Sequence, residues 1–122
     1  MTTPQINRTA VSIPGDPSHL DVLRLVVRNA CARRGASLDQ IDDSALAVHE
    51  AGLALIEAGA EKIDMEFDGA SELTVFVSAP SRVTLRPDES MSFRIIEALT
   101  ESYDIASTDD ATTIRLRLSI EA

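Results

Sequence analysis

The chain has 122 residues, of which 44% are hydrophobic, and its formal net charge is −9. This length fits one domain that buries a core without disulfides or a structural metal. The sequence lacks both an apolar run of roughly 18 residues and a signal-peptide pattern, so we expect a cytoplasmic protein without a membrane segment. The negative charge argues against direct nucleic-acid binding, and it suits either a basic protein partner or solubility alone. Cys31, the single cysteine, is expected to be a small buried apolar residue.

The first half of the chain predicts one strand and then two helices. Asp16 followed by Pro17 is a typical helix start, because the aspartate caps the first turn and proline suits the first helical position. Ser37 and Gln40 have the spacing of a capping box at the start of the second helix. A glycine follows each helix and ends it. The expected ranges of a flexible polar arm, the strand and the two helices are 1–9, 10–14, 17–34 and 38–58.

The second half predicts strands and one further helix. Apolar and polar residues alternate in several segments, which is the pattern of strands that bury one face. Asp68 and Gly69 begin a turn between two of these strands. The expected ranges are strands at 63–67 and 73–77, a short irregular strand at 83–85, a helix at 91–102, and strands at 103–107 and 112–120.

This order of elements predicts the architecture. Strands joined by tight turns pair antiparallel, and about three helices can cover one face of the resulting sheet. We therefore expect a single α+β domain over residues 10–122, a two-layer sandwich whose sheet is mixed but mostly antiparallel.

The second helix carries a motif that resembles a known family. Residues 47–54 read Ala-Val-His-Glu-Ala-Gly-Leu-Ala, which matches the pattern A-V-x-E-A-x-x-N up to its last position. This motif and the order of elements over residues 10–120 resemble the anti-sigma-factor and serine-protein-kinase branch of the GHKL, or Bergerat-fold, ATPases. The resemblance implies a histidine-kinase ATPase-like fold, and it places Glu50 at the position of the family's general base toward a serine hydroxyl.

The chain departs from the family at each part of the nucleotide site that the resemblance implies. Ala54 replaces the asparagine that would coordinate magnesium, and alanine has no oxygen ligand. Ala79 replaces the aspartate that would read the adenine amino group, and the stiff Pro80 follows it. Residues 89–93 lack the glycines whose backbone amides would approach the phosphates, and the segment after Ala79 is short for the family's lid. We therefore expect no bound ATP, no metal, and a Glu50 that is an idle, solvated helix-face carboxylate.

These departures are similar to those of mycobacterial-type anti-sigma-F factors, which implies an actinobacterial source and a role in stress-responsive transcription. The resemblance places Arg24 at the position of a first-helix arginine that contacts the sigma factor, and Arg28 lies one turn further on. Arg24 can also be an ordinary exposed arginine. His19 is expected on the surface, and His49 is not expected to form a dyad with its neighbour Glu50, because adjacent helix positions do not face each other.

Three functions stay open at this stage. The first is an anti-sigma-factor-like regulator that binds a sigma factor, a STAS-domain anti-anti-sigma factor, or both, with homodimerisation possible. The second is an active serine-protein kinase that uses ATP, magnesium and Glu50 to phosphorylate the anti-anti-sigma factor. The third is a non-catalytic dimerisation or scaffold domain.

Overall fold

The computed structural model describes residues 8–68 and 72–121. The strands are β1 Thr9–Pro14, β2 Lys62–Phe67, β3 Glu72–Ala79, β4 Ser102–Ser107 and β5 Thr112–Glu121. The helices are α1 Leu20–Arg33, α2 Leu38–Glu57 and α3 Met91–Leu99, with 3-10 turns at Pro17–His19 and Pro87–Glu89. Most of the predicted arm and the turn predicted from Gly69 onward lie outside the described residues.

The five described strands form one sheet in the order β1-β2-β3-β5-β4, and each of its four pairings is antiparallel. The prediction of an α+β fold with a mostly antiparallel sheet and three helices is confirmed. The described strands contain no parallel pairing, although a mixed sheet was expected. The reason is that β3 and β4, the two strands that α3 connects, run parallel to each other but have β5 between them.

The two helices between β1 and β2 return the chain to the end of the sheet that it left. The amide of Gly15, just after β1, donates to the Glu61 carbonyl just before β2, with an N–O distance of 2.8 Å. A pair of consecutive antiparallel helices brings the chain back to its starting end, so β1 and β2 become antiparallel neighbours.

The core lies between the helices and one face of the sheet. Alternating residues of the central strands are almost fully buried, as the sequence pattern predicted, and the helices add the facing apolar side chains. The most buried members are Leu20, Leu23, Val27, Val48, Leu55, Ile63, Met65, Leu73, Val75, Val77, Phe93, Ile96, Ile114, Leu116 and Leu118. The prediction for Cys31 is confirmed, since it is buried at the end of α1, where desolvation raises the pKa of its thiol.

Both predicted helix starts in the first half are confirmed at the capping residues. The Asp16 carboxylate accepts a hydrogen bond from the Ser18 amide at 3.0 Å, although the first turn is a 3-10 turn and α1 proper begins at Leu20. Ser37 and Gln40 form the reciprocal capping box of α2, with distances of 2.8 and 3.1 Å.

The third helix ends at Leu99, three residues before the predicted end. Thr100 has extended backbone angles and its hydroxyl donates to the Ile96 carbonyl at 2.7 Å, which satisfies one of the last carbonyls of α3. The Glu101 amide already donates to the Arg117 carbonyl of β5 at 2.9 Å. Pairing with β5 therefore ends the helix earlier than its periodicity predicts.

Two strand predictions need correction. Thr9, placed in the arm by the sequence, is the first residue of β1 and pairs with Phe67. Val83 to Leu85, predicted as a short strand, is irregular, because β3 and β4 occupy both edges of β5 at this point. The Val83 amide finds a partner in the Thr112 hydroxyl, at 3.0 Å.

Candidate functional site

Glu50 lies in the middle of α2 on the side that packs against α3. Its exposure is 9%, and its Oε1 accepts a hydrogen bond from the Ser92 hydroxyl at 2.9 Å. Ser92 is itself buried in the first turn of α3. The expectation of a solvated carboxylate is therefore wrong, because α3 covers this face of α2 and supplies a hydrogen-bond donor.

His49 approaches the other oxygen of Glu50 more closely than neighbouring helix positions suggest. Its Nε2 lies 3.9 Å from Glu50 Oε2, which is beyond hydrogen-bond distance and becomes an ion pair only if the imidazole is protonated. Its Nδ1 is buried and has no hydrogen-bond partner among the described residues. The two side chains are thus neighbours without a hydrogen bond, so they do not form the aligned dyad of a catalytic base.

A cavity of about 290 Å³ opens beside this α2–α3 contact. Its apolar part is formed by buried Ala54 and Phe93 and by half-buried Leu85. Its exposed rim carries the charged side chains of Glu57, Arg86 and Glu89.

The structure separates the two alanines that the sequence placed in a common nucleotide groove. Ala54 lines the cavity, but Ala79 does not. Ala79 is fully buried at the end of β3, opposite Thr112 of β5. The position that would read an adenine in the family therefore lies in the core, outside the cavity.

Thr112 forms hydrogen bonds with the segment that follows β3. Its buried hydroxyl accepts from the Val83 amide at 3.0 Å and lies 3.3 Å from the Ser81 carbonyl and 3.4 Å from the Val83 carbonyl. These contacts fix the start of the loop that ends in the 3-10 turn beside the cavity. The loop that borders the cavity is thus hydrogen-bonded, near its beginning, to β5 of the sheet.

Sequence reasoning missed Ser92 and Thr112, although a signal for both was present. Ser92 has helical spacing to Ile96, a core residue of α3, and Thr112 precedes the inward-facing Ile114 by two residues. Both therefore had to point inward, and a buried hydroxyl needs a hydrogen-bond partner. The identity of each partner is not visible from this spacing.

The two arginines predicted to bind a partner lie on α1. Arg28 Nη1 lies 2.9 Å from Asp42 Oδ1 of α2, so it connects the two helices at the surface. Arg24 is half-buried, and no described residue forms an ion pair with it. Leu25 beside it is 69% exposed. His19, at the end of the first 3-10 turn, is exposed as predicted.

Residues 8–68 and 72–121 contain no group of three or more histidine, cysteine, aspartate and glutamate side chains arranged to hold a metal ion. None of their helices combines the length and the apolar character that a bilayer crossing requires.

The arrangement of a five-stranded antiparallel sheet under three helices matches a GHKL/RsbW-like fold. A similar solved structure is that of the RsbU and RsbW domains of Rv1364c from Mycobacterium tuberculosis, with a TM-score of 0.72 and 18% sequence identity. The match covers 98% of this chain and 33% of that chain, so this chain spans about a third of its length. No family model matches the sequence. No curated protein matches it either.

Proposed function

We propose that this chain is an anti-sigma-factor-like regulator that acts by protein–protein binding, with a sigma factor, a STAS-domain anti-anti-sigma factor, or both as partners, and without ATP. RsbW is an anti-sigma factor kinase, and the fold likeness agrees with the motif resemblance of α2. The observation that carries the loss of kinase chemistry is the hydrogen bond from Ser92 to Glu50.

The base of a serine-protein kinase accepts a hydrogen bond from the hydroxyl of a substrate serine. In this chain Glu50 accepts such a bond from its own Ser92. A general base must lie within hydrogen-bond reach of the proton that it removes. Oε1 of Glu50 is already bonded to a serine of its own chain, within a packed helix interface. A substrate hydroxyl would have to share this carboxylate with Ser92 inside the packed contact between α2 and α3.

The cavity beside Glu50 is also poorly suited to a nucleotide. Ala54 supplies no metal ligand there, and the carboxylates of Glu57 and Glu89 would repel a triphosphate. Its volume of about 290 Å³ lies at the lower limit of roughly 300 Å³ for pockets that hold drug-sized ligands. These features favour a binding regulator over the alternative, a serine-protein kinase.

The exposed side of α1 is the surface that we assign to the partner. Leu25, beside Arg24, is a largely exposed apolar residue, and Arg24 has no ion-pair partner among the described residues. An arginine next to exposed apolar side chains is a common composition for the centre of a protein interface. A scaffold domain without a sigma-factor partner would not depend on this surface.

The experiment measures binding of the purified chain, without nucleotide, to each sigma factor and STAS protein of its host in turn. At least one of them should bind, and Arg24→Glu should weaken this binding about tenfold, since a central charge contact contributes on the order of 1.4 kcal/mol or more. Circular dichroism would verify that the variant is folded.

The matched control is Arg33→Glu. Arg33 lies about two and a half helical turns after Arg24, on the opposite side of α1, and it is exposed. Its reversal should leave the affinity nearly unchanged. Equal losses for the two variants would indicate non-specific charge attraction, and binding that neither variant changes would exclude this face of α1. Failure of every candidate partner to bind would remove the proposed function.

A further inference from the structure

The charges around the α2–α3 cavity suit a cation. Glu57, Arg86 and Glu89 are exposed at its rim, and within residues 8–68 and 72–121 none of the three forms an ion pair. Two carboxylates against one guanidinium leave one net negative charge at the opening. The chain as a whole, including these three residues, has a net charge of −9. A positively charged group is therefore attracted both from a distance and at the opening itself.

The apolar side of the cavity favours a ligand whose uncharged part is apolar. Ala54, Leu85 and Phe93 offer a surface without hydrogen-bonding side chains, a few bonds away from the charged rim. Lysine and arginine side chains have the complementary form, because an apolar stem carries the charged head. A volume of about 290 Å³ is small for a nucleotide but admits one such side chain.

Resting on the proposed function, we propose that this cavity receives a lysine or arginine side chain of the protein partner. The stem packs against Ala54, Leu85 and Phe93, and the head donates charge-assisted hydrogen bonds to Glu57 and Glu89. The cavity that Ala54 lines, at the position of the magnesium ligand in the resembled family, thus becomes a second contact point for the partner, separate from the α1 surface.

The test uses Nα-acetyl-arginine amide as the probe and follows the backbone amide signals of the isotope-labelled full chain by NMR. The probe should shift the amide signals of cavity-lining residues at positions 54, 57, 85, 86, 89, 90 and 93. Glu57→Gln combined with Glu89→Gln should weaken this binding about tenfold, since a hydrogen bond to a charged group contributes about 1.5–3 kcal/mol. The effect should decrease with added salt, because the rim is exposed.

The matched control is Glu61→Gln combined with Glu97→Gln, which removes the same charge from exposed positions that do not line the cavity. This control should leave the probe affinity unchanged. Nα-acetyl-glutamine amide and Nα-acetyl-glutamate amide should produce no saturable shifts at the cavity. Binding of the neutral probe as tight as that of the arginine probe, or shifts distributed over the whole acidic surface, would overturn the proposal.

The same two double variants separate this proposal from the proposed function. If a sigma factor or STAS protein binds the unmodified chain and the cavity variant equally, the cavity proposal fails and the proposed function stands. If the probe binds in the cavity but no sigma factor or STAS protein binds the chain, the proposed function fails, and the cavity is a receptor for some other cationic group.

Discussion

The carboxylate of Glu50 has two oxygens in different surroundings. Oε1 accepts from the Ser92 hydroxyl at 2.9 Å, whereas Oε2 faces His49 Nε2 at 3.9 Å. A buried carboxylate without donors is costly, so the Ser92 contact stabilises the α2–α3 interface as well as occupying the oxygen. In this chain Glu50 therefore has a structural role at the contact between α2 and α3.

Replacing Ser92 by alanine should lower the free energy of unfolding by roughly 1–2 kcal/mol, because a nearly buried carboxylate loses its donor. Urea unfolding followed by circular dichroism measures this change. Ser90→Ala is the control, since Ser90 precedes α3 and its side chain forms no capping hydrogen bond. Equal effects of the two substitutions would show that the Ser92 contact contributes little.

The sequence predicted where Glu50 lies on α2 but not what surrounds it. Its position follows from helical spacing, which is a local property. Its burial depends on Ser92, 42 residues later in the chain, and on the way α3 crosses α2. Contacts at such separation are invisible to a pattern that describes one element at a time, and the expected solvated carboxylate failed for this reason.

At the scale of elements, predictions held where both partners of a contact are close in sequence. The capping box joins Ser37 to Gln40, three residues later, and it was predicted correctly. The end of α3 and the irregular segment at 83–85 were predicted wrongly. Both depend on β5, whose residues Arg117 and Thr112 supply the competing hydrogen bonds.

Gly15, between β1 and the first helical turn, lies very close to the backbone that connects α2 and β2. A Cβ atom on Gly15 would lie 2.1 Å from the Ala60 carbonyl oxygen and under 3 Å from the Glu61 backbone. Gly15→Ala should therefore destabilise the fold by about 2 kcal/mol or more, because backbone on both sides would have to move. Thermal and urea unfolding measure the loss.

Gly35→Ala is the comparison for this change. Gly35 has a φ of 77°, and an added Cβ there meets nothing within 4 Å, so only the backbone conformation opposes the substitution. We expect a cost of about 1 kcal/mol at this position. A Gly15→Ala variant as stable as the Gly35→Ala variant would contradict the close approach of β1 and the α2–β2 connection.

For the whole molecule, the arrangement of layers could be predicted from the order of elements. The antiparallel pairing of every described strand could not, since it depends on β5 inserting between β3 and β4. The motif on α2 indicated the fold class correctly, and the solved RsbU and RsbW domains share the fold at 18% identity. At this distance the fold does not determine the chemistry, which depends on the side chains at the site.

Loss of nucleotide binding is the claim on which the regulator proposal depends most. The claim rests on four observations: Ala54 lines the cavity, Ala79 lies in the core, two carboxylates lie at the cavity rim, and Glu50 accepts a hydrogen bond from Ser92. The most direct measurement is a calorimetric titration of ATP with magnesium into the full chain at high micromolar concentration. We predict no heat beyond that of dilution. A saturable signal with submicromolar affinity would contradict the account and favour the serine-protein kinase.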